Sequence, residues 1–151
     1  MVKRFLMTPI RRLEGITYWV IEDPEGIYDF INTEVQKEWE ADAKFESRDV
    51  RDDSWLKTLS KRKWRLEIAE IDRIKLNPNI VNYVDDARGY IFSEELAERS
   101  NELLSSIKEY CLVIWPVIVR KEDFMLADGY CRYTALRVMN VHRIYVYVGT
   151  L

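Results

Sequence analysis

The chain has 151 residues, 48% hydrophobic and 32% charged, with a net charge of −3; this suits one globular domain, or one domain with a modest extension, and excludes a disordered chain. The mild acidic balance argues against a domain devoted to wrapping nucleic acid. No apolar run reaches the roughly 20 residues that cross a bilayer, no signal-peptide core opens the chain, and Cys111, Cys131 and the single His142 have no metal-ligand spacing, so a cytoplasmic protein with reduced thiols and no zinc site is expected.

Met1 to Val20 reads as an irregular arm followed by a short strand around Ile16 to Ile21. Asp23-Pro24-Glu25 is a helix start: Asp caps, Pro suits the first position, and Glu favours the positive end. Ile27, Ile31, Val35, Trp39 and Ala43, with Phe30 beside them, form one apolar stripe at helical spacing, so a helix is expected to about Phe45. Asp52-Asp53-Ser54 can cap a second helix through Leu59. Acids (Glu22, Asp23, Glu25, Asp29, Glu34, Glu38, Glu40, Asp42, Glu46) crowd this first helix against Lys37 and Lys44. Behind them Lys57, Lys61, Arg62, Lys63 and Arg65 make a basic run flanked by Trp55 and Trp64. Such a run either tracks a phosphate backbone or is a solvated helix end meeting its acidic neighbour.

Trp64 to Leu76 alternates as a strand with a bulge near Glu70, which would put Glu70 and Asp72 on one strand face. Asn77 to Gly89 reads as loop. Ser93 caps the next helix, whose apolar face is Leu96, Ser100, Leu103, Leu104, Ile107 and Cys111. Trp115 to Arg120 and Phe124 to Ala127 form a hairpin over Lys121-Glu122-Asp123. A helix from Tyr130 to about Met139 and a closing strand from Ile144 to Val148 complete an α+β domain around a small sheet.

The step Asp128-Gly129-Tyr130-Cys131-Arg132 carries the chemistry. Gly129 allows a sharp turn and close approach to a ligand. The helix behind it offers unpaired amides and the positive end of its dipole, and Arg132 supplies a fork of donors matched to phosphate oxygens. A strand-turn-helix with a surface arginine is the plain alternative.

From Trp64 to Val148 the chain resembles the N-terminal domain of ParB proteins and the ParB/sulfiredoxin superfamily. The resemblance rests on four parts in order. They are Ile71-Asp72-Arg73-Ile74 running to Pro78, a helix ending Ser106-Ile107-Lys108-Glu109, Trp115 to Val119 opening with Trp-Pro, and Asp128-Gly129-x-x-Arg132-x-x-Ala135. It implies a small mixed sheet over residues 64–151; residues 1–63 have no counterpart in the family and read as a helical extension packed on that domain.

The superfamily includes partition proteins that hydrolyse CTP and clamp DNA, sulfiredoxins that use a cysteine and ATP, archaeal free-serine kinases, and nucleases. The sulfiredoxin Gly-Cys-His-Arg pattern sets Tyr130, not Cys131, in the nucleophile's place. Partition proteins carry paired arginines where this chain has Cys131 and Arg132, and no helix-turn-helix is expected behind Leu151. The kinase histidines fall on Tyr130 and Cys131, and the kinase glutamate on Ile80.

The resemblance implies a nucleoside di- or triphosphate with Mg²⁺ held by Trp115, Asp128, Gly129, Tyr130, Cys131 and Arg132, with Trp115 either a core residue or a wall on which the base stacks. Glu70, Asp72 and Asp128 are the candidate acids for NTP hydrolysis or a kinase-like phosphotransfer, with Asp85 and Asp86 as further substitutes. The alternative is a DNA-associated protein with an accessory partition, regulatory or nuclease role, binding DNA through Lys57, Lys61, Arg62, Lys63 and Arg65.

Overall fold

The computed structural model describes residues 9–37 and 58–151. Strands β1 (Ile10–Leu13) and β2 (Ile16–Trp19) pair antiparallel, so Ile10–Leu13 is a strand rather than part of an irregular arm. Their two-residue turn, Glu14-Gly15, has φ of 50° and 81°, the left-handed pair that suits the twist of a hairpin. Helix α1 (Pro24–Phe30) begins as its sequence signals: the Asp23 side chain accepts the Gly26 N–H at 3.1 Å, and Pro24 stands in the first turn. It runs into a π turn, Ile31–Val35. Trp39, Ala43 and Phe45, the expected continuation of the stripe, lie outside the described residues, as do Asp52, Asp53, Ser54 and Lys57. Leu59–Lys61 is a 3₁₀ turn.

Strand β3 (Lys63–Glu70) stops at Glu70 rather than running on through a bulge. Its partner strand begins at Arg143, opposite Glu70, so the ladder ends there. Ile71–Arg73 then forms a 3₁₀ turn, with the Ile71 N–H bonded to the His142 carbonyl at 2.8 Å. The expected loop from Asn77 holds a single helical turn, α2 (Pro78–Val81), and a small hairpin of β4 (Val84–Asp85) and β5 (Tyr90–Ile91). Helix α3 (Phe92–Tyr110) has Ile91 at its cap, so Ser93 lies inside its first turn; it ends on Cys111 in the left-handed region at φ 53°. The hairpin of β6 (Val117–Arg120) and β7 (Leu126–Asp128), then α4 (Tyr130–Val138) and β8 (Arg143–Thr150), follow in the expected order. Phe124, expected in the second hairpin strand, turns the chain at φ 57°.

The main sheet has the order β3-β8-β6-β7, with β8 antiparallel to β3 and parallel to β6. It is a mixed four-stranded sheet in an α+β chain. Apolar side chains leave both of its faces. Val117, Val119, Ile144, Val146 and Val148 meet Ile107 and Leu136 of α3 and α4 in one core cluster. On the other face Trp64, Ile118 and Tyr147 meet Ile27, Phe30, Ile31 and Val35 of α1 and its π turn. Each fully buried Val or Ile contributes roughly 1.5–3 kcal/mol before its entropy cost, so the N-terminal segment is part of the core, with α1 and its π turn packed on one face of the sheet. The β1–β2 hairpin is joined to the main body where the Trp19 N–H bonds the Ile114 carbonyl at 2.9 Å and the Ile114 N–H returns to Thr17 at 3.0 Å.

Candidate phosphate-binding site

Strand β7 delivers Asp128 to a turn at Gly129, whose φ of 103° is a conformation that favours glycine. Helix α4 starts at once, and no side chain caps it. Its first bond runs from the Tyr133 N–H to the Gly129 carbonyl at 2.8 Å, so the positive end of its dipole lies at this loop. An open helix start was expected. Instead Tyr130 to Thr134 are half-buried. The cover comes from α3 and from Asn77, just ahead of α2: the Tyr130 ring packs edge-on to Phe92 at 6.0 Å. The Tyr130 hydroxyl donates to the Leu126 carbonyl at 3.0 Å and accepts the Asn77 N–H at 3.3 Å.

Arg132 is not the free surface residue the sequence suggested. Its side chain is 20% exposed. Nη2 donates to Asp128 Oδ2 at 2.8 Å, and Nη1 donates to the carbonyls of Trp115 and Pro116 at 3.1 and 3.3 Å. The fork is thus preorganised at the end of β7 and the entry to β6. Trp115 itself stacks on Phe30 of α1, with ring centroids 4.3 Å apart and planes at 27°, and Trp19 lies tilted 6.3 Å away. The sequence left open whether Trp115 is core or a wall for a base; it is half-buried, packed on the α1 core. Cys131 is half-buried near Ser100 of α3. Burial pushes its thiol pKa up, against the opposing pull of Arg99 and Arg132.

Glu70 and Asp72 lie elsewhere. They do not share a strand face, because Asp72 sits in the 3₁₀ turn after Glu70. Both line an open depression with Glu14, His142 and Arg143. Asp72 pairs with Arg137 near the C-terminal end of α4. With a rise of about 1.5 Å per residue, Arg137 is about 10 Å along the helix from the Asp128–Arg132 loop. Asp85 pairs with Arg88 at 2.6 Å in the β4–β5 hairpin. Glu14, which no sequence signal singled out, accepts the backbone N–H of His142 and Arg143 at 2.9 and 2.7 Å and so closes the start of β8. Those bonds, with His142 the largest contributor, lower the Glu14 pKa.

The basic run divides. Lys57 lies outside the described residues. Arg62 is 4% exposed, donates to both Glu122 carboxylate oxygens at 2.7 and 2.8 Å and to the Gly149 carbonyl at 2.8 Å, and is therefore a structural cross-link, not a DNA contact. Lys61, Lys63 and Arg65 are exposed. Register runs Asp128 to Ile118 to Tyr147 to Leu66, so Arg65 and the Asp128 loop are on opposite edges of the sheet, about 14 Å apart at the usual strand spacing.

Among the described residues no group of His, Cys, Asp and Glu is arranged to hold a metal ion, and no helix is long and apolar enough to cross a membrane. The fold is that of a small α+β domain with a mixed sheet. No family model matches the chain, and no curated protein matches it. Among solved structures it is similar to the pNOB8-like ParB N-domain, at 15% identity and a TM-score of 0.41 over 60% of this chain and 29% of that one. It is also similar to a second crystal form of a Pnob8-like ParB-N domain, at 16% identity and a TM-score of 0.39 over 60% of this chain and 31% of that one. The matched region is thus under a third of those chains.

Proposed function

We propose that this chain is a ParB/sulfiredoxin-like domain that holds a nucleotide by its phosphates at the start of α4. One observation carries the reading: at a single point, an uncapped helix start behind a left-handed glycine meets an arginine whose fork is already held in place by Asp128 and two carbonyls. Phosphate oxygens can accept from the first amides of α4 and from the guanidinium. Asp128 is the candidate acid that lies at the loop itself. It is the one suited to hold a Mg²⁺ on a bound nucleoside di- or triphosphate, or to take a proton in phosphoryl transfer. Glu70 and Asp72 would act there only on an acceptor that bridges the length of α4.

The test is calorimetric titration with a panel of nucleoside triphosphates, with and without Mg²⁺. Arg132→Ala is expected to weaken binding by about 1.5–3 kcal/mol, the usual worth of a charged hydrogen bond, and Arg132→Lys to recover part of it. No binding by the wild type, or unchanged binding in Arg132→Ala, overturns the reading.

A DNA-associated role is supported by the exposed Lys61, Lys63 and Arg65 on the far sheet edge. It requires affinity that falls steeply with salt, with a log–log slope near −0.9 per neutralised phosphate. The acidic balance of the chain and the separation of this patch from Arg132 favour weak, non-specific DNA binding, about 10⁻⁴–10⁻⁶ M at physiological salt.

A further inference from the structure

We infer that Phe30, in the N-terminal segment outside the stretch that carries the sequence resemblance, is a positioning residue for the Arg132 guanidinium. The inference rests on the phosphate reading above and extends the site to a helix in the N-terminal segment. Phe30 is 7% exposed and is the last residue of α1 before the π turn. A π turn adds a residue to the helical circuit, and such turns are frequent at functional sites. Here the consecutive residues Phe30 and Ile31 are both buried, and the Phe30 ring is laid on the face of Trp115 at 4.3 Å.

Trp115 is the residue whose carbonyl receives Arg132 Nη1 at 3.1 Å, and the next carbonyl, of Pro116, receives it at 3.3 Å. The stack thus sets the backbone on which the guanidinium rests. Helix α1 is itself fixed to the same sheet at both ends, through Tyr147. Phe30 meets Tyr147 edge-on at 6.2 Å, and the Tyr147 hydroxyl accepts the Ile21 N–H at 3.0 Å, just ahead of α1. With the ring removed, the Trp115–Pro116 carbonyls lose their brace, and the Arg132 fork is left with only the orientation that Asp128 gives it through one oxygen.

The probe is inorganic tripolyphosphate, which needs no base contact, titrated calorimetrically into the whole chain. Phe30→Leu, which keeps an apolar volume but no ring, should weaken binding about tenfold, and Phe30→Tyr, which keeps the ring face, should stay within about threefold of wild type. In an Arg132→Ala background, Phe30→Leu should add no further loss, because the residue acts through Arg132. A purely structural role would move stability without that dependence. Should Phe30→Leu fail to fold, Phe30→Met fills a similar volume without a ring and reads the same cycle. Equal affinity in Phe30→Leu and wild type, or losses that add in the double variant, overturn this inference alone. A wild type that binds neither tripolyphosphate nor any nucleotide overturns the parent reading and this one with it.

Discussion

Gly129 shows what a single residue asks of this loop. Its φ of 103° disfavours any side chain, and a Cβ there would stand 2.7 Å from Val117 Cγ1 and 2.9 Å from Arg132 Nη2. The sequence pointed to close approach of a ligand, whereas the close approach visible here is by the protein's own arginine. Gly129→Ala should therefore cost about 1–3 kcal/mol in urea unfolding, the usual range for a side chain forced into that region, and should also displace Arg132 from Asp128. An unchanged unfolding midpoint would show that Val117 and Arg132 yield freely. Cys131 carries a second expectation. Its thiol is raised by burial, so it stays protonated near neutral pH and should react slowly with maleimide, while Cys131→Ser keeps nucleotide binding within a few-fold. Fast modification with loss of binding would restore a redox role. That the chain turns at Gly129 and starts a helix at Tyr130 was legible in the sequence. That Arg132 would be held by Asp128 was not, because the pair forms only when β7 and α4 meet at the Gly129 turn.

Among the elements, the tie between the start of β3 and the β6–β7 turn is the one most open to test. Arg62 bridges Glu122 and the Gly149 carbonyl, and its hydrogen bonds to Glu122 hold that carboxyl below its usual value of 4.5. A carboxylate with a lowered folded-state pKa stabilises the fold fully above its unfolded value, and the stabilisation fades as pH falls through the folded one. Thermal midpoints measured downward from about pH 5 should thus fall more steeply for the wild type than for Glu122→Gln, by a modest margin because Glu122 is half-exposed. Parallel curves would assign the tie no electrostatic weight. Sequence patterns located the hairpin, the step into α4 and the closing strand, since each has strong local chemistry. They missed the end of β3 at Glu70, because strand length there is set by where β8 begins. They also missed the hairpin at Ile10–Leu13, whose Arg11 and Arg12 face solvent and leave no apolar alternation to read.

At the scale of the molecule, the α+β class and the order of elements were legible because helix caps, turns and apolar stripes are local. The two-sided burial of the sheet was only half legible. A stripe on α1 signals a helix that must pack, but not that Tyr147, 0% exposed, is what it packs on. The order β3-β8-β6-β7 has a further consequence for how the chain comes to exist. Neither β3 nor β6 pairs with the other, since each waits for β8, and the Ile21–Tyr147 bond spans 126 residues. On the ribosome, Trp64, Val117, Ile118 and Val119 are therefore synthesised before the strand that joins β3 to β6 in one sheet. Contacts of such long separation form slowly. The nascent chain must carry β3 and β6 without their shared neighbour until residues 143–150 emerge, the interval in which aggregation competes and a holding chaperone would be of most use.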